Sequence, residues 1–158
     1  VREEYMKDID RPKNLKRFYL LWQELNHAYE EYAKKHGLTY MSMFILQLIS
    51  DGTTQKELCQ TLYFPKQTIS KVIQSFERKG LIELSNSGKD KRYKLIYVTE
   101  KGKQFQKEVI PALVDAELGA FFSLSEEEQE TLTGLWERYT EACIKVINGK
   151  MDGKGKNE

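Results

Sequence analysis

Between Gly80 and Val98 the hydrophobic pattern changes period, and this change restricts the fold more than any other feature of the chain. Before it, Ile69, Val72, Ile73 and Phe76 recur at i, i+3, i+4 and i+7, which places them on one face of a helix running from about Pro65 to Lys79. The opposite face carries Lys66, Gln67, Ser70, Lys71 and Gln74. Gly80 supplies the left-handed residue that stops such a helix. After it, 81–84 reads as a short strand. Residues 85–92 are polar, glycine-containing and cationic, and 93–98 alternates with β-branched and aromatic side chains as a returning strand. The spacing predicts a hairpin with a basic tip directly behind an amphipathic helix.

Helical patterns flank this unit. A first helix is expected from about Asp10, with Pro12 in its first turn. Its stripe is Leu15, Phe18, Tyr19, Trp22, Leu25, Tyr29, Tyr32 and Ala33, and Gly37 ends it. The aromatic weight exceeds what a small core needs and suits a partner surface. A second helix follows Thr39 and is apolar nearly all round, through Met41, Met43, Phe44, Ile45, Leu46, Leu48 and Ile49, so it should be buried. Asp51-Gly52 ends it. Thr54-Gln55-Lys56-Glu57 reads as a capping box opening a short third helix, with Leu58 and Leu62 inward and a turn at Tyr63-Phe64.

Beyond the hairpin, Thr99 should cap a helix carrying Phe105, Val109, Leu113, Ala116 and Ala120, with a kink or break at Pro111. A second capping box, Ser125 to Glu128, opens the last helix, striped with Leu132, Leu135, Trp136, Tyr139, Cys143 and Val146. From Asn148 onward Gly and Lys dominate, and a disordered tail over 148–158 is expected.

The third helix, its turn and the next helix form a helix-turn-helix, and the hairpin is a wing. The fold class is therefore mainly α with a small β-hairpin wing: a winged helix-turn-helix flanked by N- and C-terminal helices. One domain is expected over 1–147, with 39–98 as the winged-helix lobe and 10–36 and 99–147 as the flanking helices.

A helix fits the major groove of B-form DNA, where its polar N-terminal side chains reach base edges. Thr54, Gln55, Lys66, Gln67, Ser70 and Lys71 are the candidates there, with Thr68 half-buried beside Ile69. The wing tip, Gly88 with Lys89, Asp90, Lys91 and Arg92, has the charge to enter a flanking minor groove, and Asp90 is placed to orient Arg92.

Charge distribution supports this reading although the net charge is only +1. From Lys66 to Lys94 eight basic residues face three acids, a net +5; from Asp115 to Glu141 eight acids face one Arg, a net −7. A solvated hairpin on a protein-interaction module without DNA binding is the alternative.

Other classes find little support. There is no glycine-rich phosphate loop, nucleophile elbow or metal-protease motif, so no enzyme and no cofactor are expected. Cys59 and Cys143 lie too far apart in sequence for a C-x-x-C pair and read as two reduced thiols. His27 and His36 read as surface residues rather than metal ligands. No apolar run reaches the roughly 20 residues a membrane span needs. The charged stretch 1–11 does not read as a signal peptide, so the cytoplasm is the expected compartment.

The stretch from Asp90 to Gly102 resembles the wing pattern D-x-R-x-x-x-L-x-L-T-x-x-G of the MarR family. Asp90, Arg92, Thr99 and Gly102 match, and Ile96, Tyr97 and Val98 stand at or near the apolar positions. Residues 54–62 and 76–82 are similar to that family's third helix and fourth-helix exit. The resemblance implies an obligate homodimer whose N- and C-terminal dimerisation helices, 10–36 and 99–147, interlock and whose two winged helices address successive grooves of a pseudo-palindrome in double-stranded DNA. It implies Arg92 in the minor groove, and Lys66, Gln67, Ser70 and Lys71 near the major groove. It also implies a repressor whose small apolar or phenolic effector would sit among Trp22, Tyr29, Tyr40, Met41 and Phe44. Helical aromatics of this kind are more often ordinary core. Pro65 departs from the family, which often has a capping serine there.

Overall fold

The computed structural model describes residues 12–86 and 94–153, with side chains described through 85 and from 94 to 149. In chain order the elements are α1 (Lys13–Lys35), α2 (Tyr40–Leu48), β1 (Thr53–Thr54), α3 (Gln55–Leu62), α4 (Lys66–Arg78), β2 (Ile82–Asn86), β3 (Lys94–Val98), α5 (Glu100–Phe122) and α6 (Glu126–Gly153). None of the described helices is long and apolar enough to cross a membrane. The chain divides into two compact units, with the division between Ile110 and Pro111.

The first unit holds α1 to the start of α5. Its core is Ala33, Met43, Ile45, Leu46, Leu58, Ile69, Ile73, Phe76, Ile82, Ile96 and Val109, all essentially inaccessible to solvent. Every element of the unit except β1 contributes to it, which is how a lobe of short helices fixes their mutual angles. The sheet has three strands, in the order β1-β3-β2, all antiparallel. β2 pairs with β3 from Ile82 opposite Val98 to Asn86 opposite Lys94, and Thr53-Thr54 pairs on the far side with Ile96 and Leu95. The hairpin is therefore clamped along both edges of β3. The two-residue β1 has no period to read, and no local pattern marks it.

The helix boundaries follow local chemistry. Pro12 stands as the N-cap of α1 rather than inside it. At the C-terminus of α1, Gly37 takes φ +66° while its N–H bonds the Lys34 carbonyl and Leu38 N–H bonds that of Ala33, both at 3.0 Å. The same double bond recurs at α4: Gly80 (φ +68°) donates to Glu77 and Leu81 to Phe76, each at 2.9 Å. Phe76 and Leu81 are buried together, which adds the apolar contact such exits favour. A reciprocal box that the sequence hid opens α2, where Thr39 and Ser42 exchange bonds of 2.8 and 3.2 Å.

The second unit is the rest of α5 and α6. Ser125 N–H donates to Glu128 Oε2 at 2.8 Å and Glu128 N–H returns a 3.3 Å bond to Ser125 Oγ, the expected capping box. The Glu128 carboxyl is held below the ordinary carboxylate range, first by that backbone N–H and then by the hydroxyl. α5 is assigned as helix continuously through Pro111, so the break that was one expectation there is absent.

α6 also departs from expectation. It continues to Gly153, where the sequence suggested that order would end at Asn148. Gly149 lies open, with nothing within 4 Å of where a Cβ would stand, so it is accommodated at a cost in propensity only.

Candidate nucleic-acid interface

α4 is built for two environments. Ile69, Ile73 and Phe76 are buried; Lys66, Gln67, Lys71 and Gln74 are exposed; Thr68 and Ser70 lie between, half-buried. The expected outward face is thus solvent-accessible at its N-terminal half. Pro65 is the N-cap, with no side-chain cap bond, and its carbonyl accepts from Thr68 N–H at 2.9 Å and Ile69 N–H at 3.2 Å. Proline at this boundary starts the helix through its fixed φ rather than through a hydroxyl.

α3 leads into α4 through a capping box at Thr54. Thr54 N–H donates to Glu57 Oε2 at 2.7 Å, the Thr54 hydroxyl donates to the same oxygen at 2.9 Å, and Glu57 N–H donates back to Thr54 Oγ1 at 3.2 Å. The Thr54 hydroxyl proton is thereby committed to the cap. Thr54 and Gln55 are half-buried at the start of α3. The backbone N–H of Thr54, and secondarily its hydroxyl, hold the Glu57 carboxyl below the ordinary range.

A depressed carboxyl stabilises the fold above its unfolded pKa, and that contribution is lost as pH falls through the folded value. Thr54→Ala should therefore cost about 1 kcal/mol near neutral pH in urea unfolding. The stability advantage of the wild type over Glu57→Gln should shrink as pH is lowered through the carboxylate range.

The base of the hairpin is locked to the exit of α4. The Thr99 hydroxyl lies 2.8 Å from the Gly80 carbonyl and 3.1 Å from that of Leu81, and accepts from Gly102 N–H at 3.0 Å. Thr99 thus caps α5, as its position suggested, and also binds the turn out of α4. Thr99 N–H donates to Leu81 O at 3.0 Å and Lys101 Nζ to Lys79 O at 2.7 Å. On the other side of the sheet, Val98 N–H donates to Asp51 Oδ1 at 2.8 Å. Gln106 Nε2 bonds the carbonyls of Leu46 and Ile49 at 2.8 and 2.9 Å, finishing α2 from α5. The exit of α4 is thus hydrogen-bonded to the base of the β2–β3 hairpin at several points. Sequence reasoning missed the Lys101 and Gln106 contacts because nothing local marks them.

Lys89, Asp90, Lys91 and Arg92, the basic tip assigned from sequence, lie outside the described residues. The strands that carry them are described up to Asn86 and from Lys94, whose side chain is exposed.

The aromatic residues assigned to an effector separate into two groups. Tyr29, Tyr40 and Phe44 pack on one another with ring centroids 4.9 to 6.1 Å apart. Trp22 and Tyr40 line an open hollow of about 340 Å³ together with Gln23, Asn26, His27 and Glu30. Met41 is not among its lining residues and is partly exposed. Burial raises the Tyr40 phenol above its ordinary pKa. Among the described residues no three His, Cys, Asp or Glu side chains converge as a metal site would require.

Large apolar side chains remain on the surface of both units. In the first unit these include Leu20, Leu21, Trp22 and Leu25 of α1. In the second, Leu118, Phe121 and Phe122 of α5 and Leu132, Leu135, Ile144, Val146 and Ile147 of α6 are exposed. A 28-residue helix with almost no buried side chain needs cover from another surface.

Residues 36–92 match the sequence model described as MarR family. The chain is 28% identical over 119 residues to the HTH-type transcriptional regulator SarZ of Staphylococcus epidermidis, covering 73% of this chain and 78% of that one. It is 30% identical over 128 residues to the uncharacterized HTH-type transcriptional regulator YdcH of Bacillus subtilis, covering 75% and 86%. Its fold is similar to that of MepR of S. aureus in a DNA complex, with a TM-score of 0.67, 20% identity, and coverage of 84% and 99%.

Proposed function

The chain belongs to the MarR family of winged helix-turn-helix transcription regulators, and we propose that it works as a homodimer that binds double-stranded DNA sequence-specifically. As members of a family of regulators, its relatives are not enzymes, and no catalytic role is assigned to it. The observation that carries the proposal is the hydrogen-bonded junction between the exit of α4 and the base of the hairpin, within a stretch, 66–94, whose sequence carries a net +5. MepR, which shares this fold, has been seen on DNA.

In this reading Lys66, Gln67, Ser70 and Lys71 approach the major groove. Gln67 can present a donor and an acceptor to adenine, and the lysines can meet guanine or phosphate. Thr54, Gln55 and Thr68 lie at the margin of that surface, and Lys89, Lys91 and Arg92 enter the flanking minor groove, with Asp90 orienting Arg92. The exposed apolar residues of α1, α5 and α6 are the surface a second copy would cover. The protein acts in the cytoplasm as a repressor, occluding a promoter at a pseudo-palindrome. A small apolar or phenolic effector at the Trp22–Tyr40 hollow would release it by shifting the spacing of the two reading lobes.

Fluorescence anisotropy with a labelled duplex, titrated across salt concentrations, tests this. Binding should weaken steeply with salt, and Lys71→Ala should reduce the slope by about 0.9 per lost phosphate contact, so by nearly two for a homodimer. A protein that binds no duplex in a salt-dependent manner, its own upstream region included, is not a DNA-binding regulator.

A further inference from the structure

Four described residues have positive φ, and three of them are glycines: Gly37, Gly52 and Gly80. The fourth is Tyr63, at φ 54° and ψ 22°. It closes α3, its N–H bonding the Cys59 carbonyl at 3.1 Å. An L-residue with a large side chain is strained there, and glycine or asparagine would close the helix at lower cost.

The ring returns nothing to the core, being 90% exposed. Among the described residues its hydroxyl makes no hydrogen bond and its ring no aromatic contact. A costly backbone conformation holding an idle aromatic in solvent points to an external use. Its place in the fold says which. Tyr63 stands three residues before Lys66, in the turn that delivers the N-terminal end of α4, the end whose exposed face carries Lys66 and Gln67. In a helix-turn-helix seated on DNA, this end enters the groove while the preceding helix crosses the sugar-phosphate backbone, so the turn that joins them lies between groove and backbone.

We propose that Tyr63 is a positioning residue for DNA binding, its phenol donating a hydrogen bond to a phosphate oxygen beside the bases that α4 faces. This rests on the DNA-binding reading above. A phosphate contact carries no sequence information but sets the depth and register of the helix. It also fits the departure at Pro65: with no capping hydroxyl to orient the start of α4, an anchor one turn upstream supplies the missing constraint.

The test compares the wild type with Tyr63→Gly and Tyr63→Phe. Each is titrated against a labelled duplex enriched by the wild type from a random pool and against a scrambled duplex of the same length. Tyr63→Gly should melt no lower than the wild type, since it removes the strain. Its affinity for both duplexes should fall roughly a hundredfold, the loss of one charge-assisted hydrogen bond to phosphate per subunit. The salt slope should not change, because a neutral phenol displaces no counterion. Tyr63→Phe should bind as weakly as Tyr63→Gly.

Wild-type affinity in Tyr63→Gly overturns the proposal and leaves the DNA-binding reading intact. Wild-type affinity in Tyr63→Phe alone overturns the hydrogen bond. A lowered melting temperature in Tyr63→Gly shows a structural role and overturns it too. Absence of binding by the wild type removes this proposal together with the reading it rests on.

Discussion

A chain carrying Leu132→Glu and Leu135→Glu is expected to fold normally, run as a monomer at micromolar concentration, and lose tight DNA binding. The two leucines lie three residues apart on α6, at 49% and 51% exposure, so about half of each is left open to a partner. Covering the remaining surface of four such leucines in a symmetric pair contributes about 1 kcal/mol each. Their loss alone raises the dimer dissociation constant roughly a thousandfold, before the repulsion of four carboxylates facing one another is counted. The surrounding surface, net −7 from Asp115 to Glu141, makes that repulsion worse.

In the proposed homodimer, losing the partner would remove half the phosphate contacts and the gain from linking two reading heads, so affinity should fall with the dimer. Analytical ultracentrifugation and circular dichroism separate the outcomes. A folded dimer that survives both substitutions would place the subunit contact elsewhere.

The second large effect concerns Gly102. A Cβ built there would lie 2.0 Å from the Leu81 carbonyl oxygen and 2.8 Å from Val98 Cγ1. The first is a backbone atom already accepting from Thr99 N–H, so it has no free direction in which to retreat. Gly102→Ala should therefore force α5 away from the exit of α4 and strain the Thr99 bonds. The expected cost is about 3 kcal/mol, at the upper end for overpacking, or roughly 6–12 °C in melting temperature for a chain of this size. DNA binding should fall with it even below the melting transition, because the same contact sets the angle between α4 and the hairpin. Melting unchanged from the wild type would mean that α5 can slide and that the lock is not rigid.

These two cases also show what the sequence could disclose. The wing pattern marked Thr99 and Gly102, but their role became clear only when Gly80, Leu81 and Gly102 were seen to meet in space. Local signals were legible wherever the physics is local. The Thr54–Glu57 and Ser125–Glu128 boxes and the Gly37 and Gly80 stops fell where the residue types placed them.

Contacts between distant residues were not legible. Tyr32 donates to the Val109 carbonyl at 2.7 Å across 77 positions, and Gln106 closes α2 across about 60. Neither pairing has a periodicity. The Thr39–Ser42 box was missed because serine, not glutamate, fills its second position. The six extra residues of α6 were missed because composition was weighed above continuity with a helix already formed. For the candidate interface, the exposed face of α4 was readable from period alone, whereas the strained turn at Tyr63 was not, since nothing in Tyr63-Phe64 announces a left-handed backbone.

Hydroxyl-radical footprinting of the wild-type protein on its selected duplex puts the whole account to its hardest test. Two α4 helices carried by a symmetric pair should protect two tracts on one face of the duplex, related by a dyad and centred about one helical turn, 34 Å, apart. A single protected tract, or cleavage uniform along the duplex at protein concentrations that shift its mobility, would contradict the paired-reader account.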